Sequence, residues 1–310
     1  MVLDVFIVIA LLILIVLASG VVVDVFEKFV GRLPIEKKKV NSILIGFSLA
    51  LPELFVGIAA AIEGKPQIAL GNVVGANMVN LSLVIGGLAI VSSVVPVVGE
   101  YLEKDFWIAI GLALLPFIML FFGIISRFEG FVLVAIYFIY AIYSDSRSSV
   151  KQSKRKMEIF ESLGLVVILI LGLLIMAASS WQLVQIAVRI ATYWSFSWFW
   201  MGLLLISLGT TLPELLLISL FRKKQKASIV LTDLLESVAM NSTLVLGVTA
   251  IITPIVMKES IQTGLSSIFL VVIMGLFWLF TKSKKKLERW EGVVLIGIYL
   301  MFIGLQFIFA

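Results

Sequence analysis

A four-residue motif occurs twice in this chain, each time inside an apolar stretch long enough to cross a membrane. Leu51-Pro52-Glu53-Leu54 recurs in the second half as Leu212-Pro213-Glu214-Leu215. An asparagine follows each glutamate at the same distance along the chain, Asn80 after Glu53 and Asn241 after Glu214. A carboxylate at membrane depth is energetically expensive and usually functional. The matched pairs therefore predict one composite site between two homologous halves of the chain.

The composition agrees with a polytopic membrane protein. The chain is 61% hydrophobic and 14% charged, with a mean hydropathy of +1.17, far from the values of soluble domains. It has no cysteine and no histidine, which excludes disulfides and imidazole-bound metals. Coupled protons would therefore have to bind carboxylates. The first residues lack a basic segment and a cleavage site, so we expect them to begin the first span rather than a signal peptide.

Ten apolar windows predict ten membrane spans. They cover residues 3–23, 40–62, 68–92, 105–125, 129–143, 162–188, 195–221, 227–254, 260–281 and 291–310. Of the 24 lysines and arginines, 20 fall in the connections that follow odd-numbered spans. The positive-inside rule then places those connections in the cytoplasm and both termini outside the cell. Topology thus explains the net charge of +5, and no nucleic-acid partner is expected.

The basic stretch 144–159 divides the spans into two sets of five, in residues 1–143 and 160–310. We expect this stretch to be a cytoplasmic linker. Because each half has an odd number of spans, the second half is inserted upside-down relative to the first. Inverted repeats with broken helices near the membrane midplane are typical of secondary transporters. The predicted fold is an all-α membrane protein of ten transmembrane helices, in two inverted five-helix repeats with broken helices at the central site.

A proline precedes each glutamate of the motif. It has no N–H and disrupts the preceding turn, which frees the carbonyl four residues earlier, that of Ser48 in the first copy and of Gly209 in the second. A lone proline would predict only a kink, because prolines are common in membrane helices. Two matched prolines, each followed by an acid, instead favour an ion site.

Spans 3 and 8 carry matched stripes of small and polar residues. Their spacing of i, i+4 and i+8 puts each stripe on one helix face; the stripes are Asn72, Ala76 and Asn80, and Asp233, Ser237 and Asn241. Such residues also stabilise helix–helix interfaces, and we favour that role for Asn77, which lies off the stripe. Asn80 and Asn241 keep their spacing to a glutamate, which favours ion ligation.

Together these residues predict a cation site. Its donors are the carboxylates of Glu53 and Glu214, the amide oxygens of Asn80 and Asn241, the freed carbonyls, and the hydroxyls of Thr210 and Thr211. A set of about six to eight oxygens with two negative charges suits Ca²⁺ better than Mg²⁺, which sheds water reluctantly. Such charges need Ca²⁺, smaller cations or protons to balance them. We therefore expect an antiporter rather than an enzyme, with Ca²⁺ as cargo, a smaller cation or protons as counter-ion, and no resident cofactor.

Two further acids, Asp233 and Glu236, lie near the start of span 8. Asp233 shares the stripe of Asn241 and is a candidate proton or second-cation site on the ion path. Glu236 lies off the stripe, where pairing with the basic residues of 222–226 at the membrane interface is the simpler interpretation. The sequence leaves both roles open.

Segments of both halves resemble the α-repeats of the calcium/cation antiporter superfamily, and those of the sodium/calcium exchangers most of all. They are GNVVGANMVN at 71–80 and SLGTTLPE at 207–214. The resemblance extends over the whole chain. It implies that Ca²⁺ is bound by Glu53, Glu214, Asn80 and Asn241. It also implies hydroxyl positions for Na⁺ at Thr210, Thr211 and Ser237.

The chain departs from the family pattern at several of these positions. Ser48-Leu49-Ala50 replaces Gly-Thr-Ser before the first motif, and Ala76 replaces a hydroxyl residue. Asn241 stands where sodium/calcium exchangers usually carry an aspartate, an arrangement nearer to that of proton/calcium exchangers. These departures leave Na⁺ and H⁺ open as counter-ions, and they leave the stoichiometry open.

Three other functions are compatible with an inverted-repeat membrane protein. A transporter of another cation or a small organic solute would need a pocket of varied donors, whereas the residues flanking the glutamates are small or aliphatic. An intramembrane metal enzyme would need acid clusters or a nucleophile–base pair that the sequence does not suggest. A degenerate family member that binds cations with little transport stays open because hydroxyls are lost. We expect a single chain to suffice, with the lipid bilayer and inorganic cations as its partners.

Overall fold

The computed structural model describes residues 2–30, 47–48, 50–97, 100–143, 159–212, 214–215, 224–257, 261–284 and 286–308. The described residues form ten helical segments, one in each apolar window: α1 (Val2–Val30), α2 (Leu51–Ile62), α3 (Pro66–Ser92), α4 (Glu100–Phe121), α5 (Arg127–Tyr143), α6 (Ile159–Trp194), α7 (Trp198–Thr210), α8 (224–252), α9 (Ile261–Lys284) and α10 (Arg289–Ile308). The linker predicted over 144–159 lies outside the described residues except for Ile159, which begins α6. Pro213 also lies outside them.

Six of these helices are long and apolar enough to cross a membrane. Within the described ranges, the qualifying stretches are Leu3–Phe26, Pro66–Ser92, Leu163–Trp194, Asp233–Ile252, Gln262–Lys282 and Arg289–Ile308. The most apolar windows of α3 and α8 are 83% buried, against 28–39% for the other four. α3 and α8 therefore form the centre of the molecule, while the other four expose apolar faces suited to lipid. The protein is an all-helical, multi-pass membrane protein.

Three helices change to π-helical geometry partway along their length. The π segments are Asn80–Val84 in α3, Met201–Ile206 in α7 and Asn241–Val245 in α8. Two of them begin at the asparagines that the sequence singles out. Single π-helical turns occur frequently at functional sites, so the backbone marks the same two positions as the sequence motif does.

Two short antiparallel strand pairs connect helix ends from opposite halves of the chain. β1 (Val94–Pro96) pairs with β4 (Lys286–Glu288), and β2 (Ile124–Ile125) pairs with β3 (Ile255–Val256). The separation along the chain between Glu53 and Glu214 defines a repeat offset, and residues related by it are counterparts. By this offset β3 is the counterpart of β1, and β4 is the counterpart of β2 to within one position. An exchange of the two halves would therefore convert one strand pair into the other.

Arginine side chains near these strands make contacts that are matched in the same way. Arg127 donates to the carbonyl oxygen of Ile252 at 3.5 Å, and Arg289 donates to that of Ile90 at 3.1 Å. The two arginines are counterparts to within one position, and so are the two isoleucines. The contact made by one half is thus repeated by the other with donor and acceptor exchanged.

Among the crossings where helix backbones approach at glycines, one is that of α3 with α7 at Gly71, and two others form a matched pair. A Cβ atom on Gly86 of α3 would lie 2.7 Å from the carbonyl oxygen of Gly292 in α10, and one on Gly130 of α5 would lie 2.8 Å from that of Gly247 in α8. Only glycine permits such an approach, because a side chain would meet the neighbouring backbone. Gly247 is the counterpart of Gly86, and Gly292 is that of Gly130 to within one position. The two crossings are therefore related by the same exchange of halves.

Candidate cation-binding site

Regular helical backbone is interrupted at both copies of the repeated motif, once before α2 and once after α7. α2 begins directly after Ala50, whose φ and ψ are −89° and 6°, and α7 ends directly before Thr211, whose φ and ψ are −90° and 5°. These two residues are counterparts and share a conformation in the sparsely populated bridge region. Glu53 and Glu214 follow within one turn and are 1% and 2% exposed. Each interruption therefore carries a carboxylate into the protein interior.

Six buried oxygen atoms of the predicted ligand residues have no hydrogen-bond partner among the described residues. They are Glu53 Oε1 and Oε2, Glu214 Oε2, Asn80 Oδ1, Asn241 Oδ1 and Ser237 Oγ. About 90% or more of buried polar groups in native proteins have a partner, and burial of an uncompensated charge is especially unfavourable. Oxygens of this kind, concentrated on residues predicted as ligands, are suited to binding a cation.

Hydrogen bonds between side chains join three of the helices that carry these residues. Thr210 Oγ1 of α7 donates to Asn72 Oδ1 of α3 at 3.2 Å. Asn77 Nδ2 of α3 donates to Ser242 Oγ of α8 at 2.8 Å, and Asn241 Nδ2 of α8 donates to Asn77 Oδ1 at 3.4 Å. α3 is thus bonded to both α7 and α8, and Asn77 joins helices as the sequence predicts.

The two carboxylates act on each other electrostatically. Glu53 and Glu214 lie close enough for their charges to repel. α2 packs against both α3 and α8, which brings Glu53 to the helices that carry Asn80 and Asn241. Like charges repel strongly in a low-dielectric interior, and a divalent cation bound by both carboxylates would replace that repulsion by attraction.

The other predicted cation ligands lie at the two helix interruptions. Thr211 Oγ1 donates to the carbonyl oxygen of Ser207 at 2.7 Å, and Thr210 Oγ1 lies 3.3 Å from the same oxygen. The Thr211 hydroxyl is thus directed to its own helix, whereas the Thr210 hydroxyl lies between Ser207 O and Asn72 Oδ1 of α3. The lone pairs of both hydroxyls can still bind a cation. Ser48 is buried, and a side chain of α1 fills the space beside Gly209. The carbonyls of Ser48 and Gly209 stay predicted ligands.

The additional acids of α8 differ in their surroundings. Residues 224–240 form a regular α-helix, so Asp233, Ser237 and Asn241 share one face. Asp233 is half-buried. Glu236 is 9% exposed and close to Tyr137 of α5, so it faces a neighbouring helix. Its predicted partners at 222–226 lie outside the residues whose side chains are described.

Two contacts at this site cannot be found from the repeat pattern. The bond from Thr210 to Asn72 joins positions that are not counterparts, so the repeat offset gives no signal for it. Asn72 begins the stripe that ends at Asn80, and this is the only sequence feature that indicates its place at the site. The bond from Asn241 to Asn77 depends on how α3 and α8 are rotated about their axes, which the sequence does not specify.

The kind and charge of the oxygen ligands indicate which cation fits the site. In the described part of the chain, no three acidic side chains lie together as a metal-binding group. The site instead combines two carboxylates with neutral amide and hydroxyl oxygens. Ca²⁺ accepts about six to eight oxygens in flexible geometry. Reversible transport also requires binding weak enough to permit release, which favours two charges over three or more.

Known proteins are similar to this chain in sequence and in fold. A family model described as sodium/calcium exchanger protein matches residues 3–144 and 164–308. A putative antiporter of Alkalimonas amylolytica, CaxA, is 28% identical over 276 residues, which cover 86% of this chain and 85% of that protein. The sodium/calcium exchanger MaX1 of Methanosarcina acetivorans is 23% identical, over 92% of this chain and 94% of that protein. A solved structure of the sodium-calcium exchanger NCX_Mj has the same fold, with a TM-score of 0.66 at 23% identity, over 97% of this chain and 98% of that one.

Proposed function

This chain belongs to the sodium/calcium exchanger family, and on that premise we propose that it is an antiporter exchanging Ca²⁺ against Na⁺ or H⁺. The family consists of membrane transporters rather than enzymes, and the long apolar helices agree with this. One observation carries the proposal. Six buried oxygens without a partner in the described structure lie on segments that are counterparts in the two halves of the chain.

In the proposed site Ca²⁺ lies near the membrane midplane. Its central ligands are the carboxylates of Glu53 and Glu214 and the amide oxygens of Asn80 and Asn241. Further oxygens for Ca²⁺ or for the counter-ion come from Ser237, Thr210, Thr211 and the carbonyls of Ser48 and Gly209. Asp233 lies on the path to the site and is the candidate for a second cation or a proton.

Charge compensation is the proposed source of coupling. Two carboxylates in a low-dielectric interior stay ionised only beside cations, so Ca²⁺ leaves when Na⁺ or protons replace it. The first half has alanine at positions 50 and 76, where hydroxyl ligands for Na⁺ would otherwise lie. The chain therefore has fewer oxygens for Na⁺ in its first half than in its second. We expect each Ca²⁺ to be replaced by protons, or by fewer Na⁺ than a site with these hydroxyls in both halves would bind.

Alternating access is proposed to follow from two inverted repeats, residues 1–143 and 160–310, joined by the cytoplasmic linker 144–159. The exchanged strand pairs, arginine contacts and glycine crossings support this proposal, because a two-fold operation that swaps the halves relates the members of each pair. Movement of one set of helices against the other around a fixed site opens that site to each side in turn.

The proposed topology has ten spans in the cell membrane, with both termini outside and the basic connections in the cytoplasm. The distribution of lysine and arginine supports it. Both glutamates come from one chain, so a monomer suffices for transport.

Transport by purified protein in liposomes tests the proposal. Uptake of radiolabelled Ca²⁺ is measured with an outward Na⁺ gradient and, separately, with an outward proton gradient. We expect uptake in at least one arm and its loss in Glu53→Gln and in Glu214→Gln. Tight Ca²⁺ binding without uptake in either arm would instead identify a cation-binding protein that does not exchange. Uptake by the glutamine variants at the wild-type rate would refute the assigned site.

A further inference from the structure

A directional chain of hydrogen bonds runs from α8 to α3 and back. The Ser242 hydroxyl donates to the carbonyl oxygen of Val238 at 2.9 Å. A hydroxyl has a single proton, so Ser242 Oγ can only accept the bond from Asn77 Nδ2, at 2.8 Å. Asn77 Oδ1 is then the acceptor for Asn241 Nδ2, at 3.4 Å. One main-chain carbonyl thus fixes the direction of every bond in the chain.

The direction of this chain determines which atom of Asn241 is available to a cation. The amide NH₂ is held by Asn77, so Oδ1 is directed away from it, and that oxygen is buried with no hydrogen-bond partner in the residues described. If the amide rotated by half a turn, it would present N–H donors to the cation instead. We propose that Asn77 is a positioning residue that holds the amide oxygen of Asn241 toward the transported cation. This role rests on the proposed function of the site.

Exchange of the two halves does not reproduce this chain of hydrogen bonds, because the corresponding residues are apolar. The counterpart of Asn77 is Val238, and the counterpart of Ser242 is Leu81. In keeping with this, neither amide atom of Asn80 has a hydrogen-bond partner within the described ranges. The protein therefore orients one of its two central amides before a cation binds, and the cation itself orients the other.

The double-mutant test combines Asn77→Leu with Asn241→Asp. Leucine has a similar size but accepts no hydrogen bond, so the amide of Asn241 loses its fixed orientation. Aspartate at position 241 has two equivalent carboxylate oxygens. Either of them can bind the cation, so the side chain needs no fixed orientation. We expect Asn77→Leu to weaken Ca²⁺ binding, measured by calorimetric titration, about tenfold when residue 241 is asparagine. In the Asn241→Asp background we expect a loss of less than about threefold.

Transport kinetics supply a second readout. In liposomes, Asn77→Leu should raise the Ca²⁺ concentration needed for half-maximal exchange and leave the maximal rate nearly unchanged. A role in helix packing alone would lower the amount of folded protein in both backgrounds equally. Gln306→Leu is the matched control. It removes another fully buried amide, which donates to Gln262 O and Ser266 Oγ at 3.2 and 3.1 Å, and it should leave Ca²⁺ affinity unchanged.

Ser242→Ala provides a milder variant that removes only the hydroxyl accepting the Asn77 bond. It should weaken Ca²⁺ binding less than Asn77→Leu does, and again only when residue 241 is asparagine. Equal losses in the two backgrounds, or no loss in either variant, would overturn the positioning role. Failure of the wild-type protein to bind Ca²⁺ would refute the proposed function itself, so the two failures are distinguishable.

Discussion

Replacement of Glu53 by glutamine should have opposite effects on Ca²⁺ affinity and on stability without Ca²⁺. Glutamine keeps the shape of the side chain but removes its charge. Glu53 is 1% exposed, and neither carboxylate oxygen has a hydrogen-bond partner in the described structure. Its charge is also repelled by Glu214. The carboxylate therefore destabilises the Ca²⁺-free protein and stabilises the Ca²⁺-bound one.

The size of both effects follows from this environment. Removal of one partner of a buried charge pair costs about 2–5 kcal/mol of binding free energy. Ca²⁺ affinity should therefore fall by at least about 30-fold, since about 1.4 kcal/mol corresponds to a factor of ten. Relief of an unsatisfied buried group is worth about 1–3 kcal/mol. At about 2 °C per kcal/mol, the Ca²⁺-free melting temperature should rise by about 2–6 °C.

Glu291→Gln is the matched control for this prediction. Glu291 is also 1% exposed, but its Oε2 accepts the backbone N–H of Glu288 at 2.7 Å. Glutamine there should lower the melting temperature and leave Ca²⁺ affinity unchanged. Thermal unfolding in detergent, with and without Ca²⁺, measures the stabilities, and calorimetric titration measures the affinities. If Glu53→Gln bound Ca²⁺ as tightly as wild type, or lowered the Ca²⁺-free melting temperature as Glu291→Gln does, the reasoning would be refuted.

Three further outcomes are expected. A Cβ atom on Gly71 would lie 2.0 Å from Phe199 O, so Gly71→Ala should lower stability in thermal melts by about 1–3 kcal/mol. Gly20→Ala is the control, because no atom of the described structure lies within 4 Å of the new Cβ. It should change stability by no more than about 1 kcal/mol. Equal melting temperatures for the two variants would contradict the close crossing of α3 and α7 at Gly71. Thr210→Ala should slow Ca²⁺ exchange in liposomes by about tenfold, because it removes the bond to Asn72 and a ligand oxygen. Thr210→Ser keeps the hydroxyl and should exchange at the wild-type rate. Equal rates for the two variants would exclude a role for the hydroxyl. Ca²⁺ at about 100 times its Kd should stabilise the wild-type protein by about 2.7 kcal/mol, and a melting temperature independent of Ca²⁺ would contradict specific binding.

The features of the fold that depend on local chemistry are predictable from the sequence. Apolar windows of the sequence locate the six described helices that are long and apolar enough to cross a membrane, because burial in lipid requires continuous apolar stretches. The interruptions at Ala50 and Thr211 lie where the repeated Leu-Pro predicts a broken turn. The glutamates that follow are buried, as expected for residues placed in the middle of a span.

Features that depend on helix packing are not predictable in this way. Two of the three π segments begin at Asn80 and Asn241, but no propensity in the sequence distinguishes these residues from others in the same helices. The orientation of the Asn241 amide depends on the crossing that brings Asn77 to Ser242, two residues far apart along the chain. Spacing along the chain identifies counterparts in the two halves, whereas this contact joins residues that are not counterparts.

Calcium stoichiometry distinguishes most directly between one composite site and two separate half-sites. Calorimetric titration of the purified wild-type chain measures the number of Ca²⁺ ions bound, and the same titration is made on Glu53→Gln and on Glu214→Gln. If both halves contribute to one site, the wild-type chain will bind one Ca²⁺ and each variant will lose it. Two Ca²⁺ per wild-type chain, with each variant retaining one of them, would contradict the composite site.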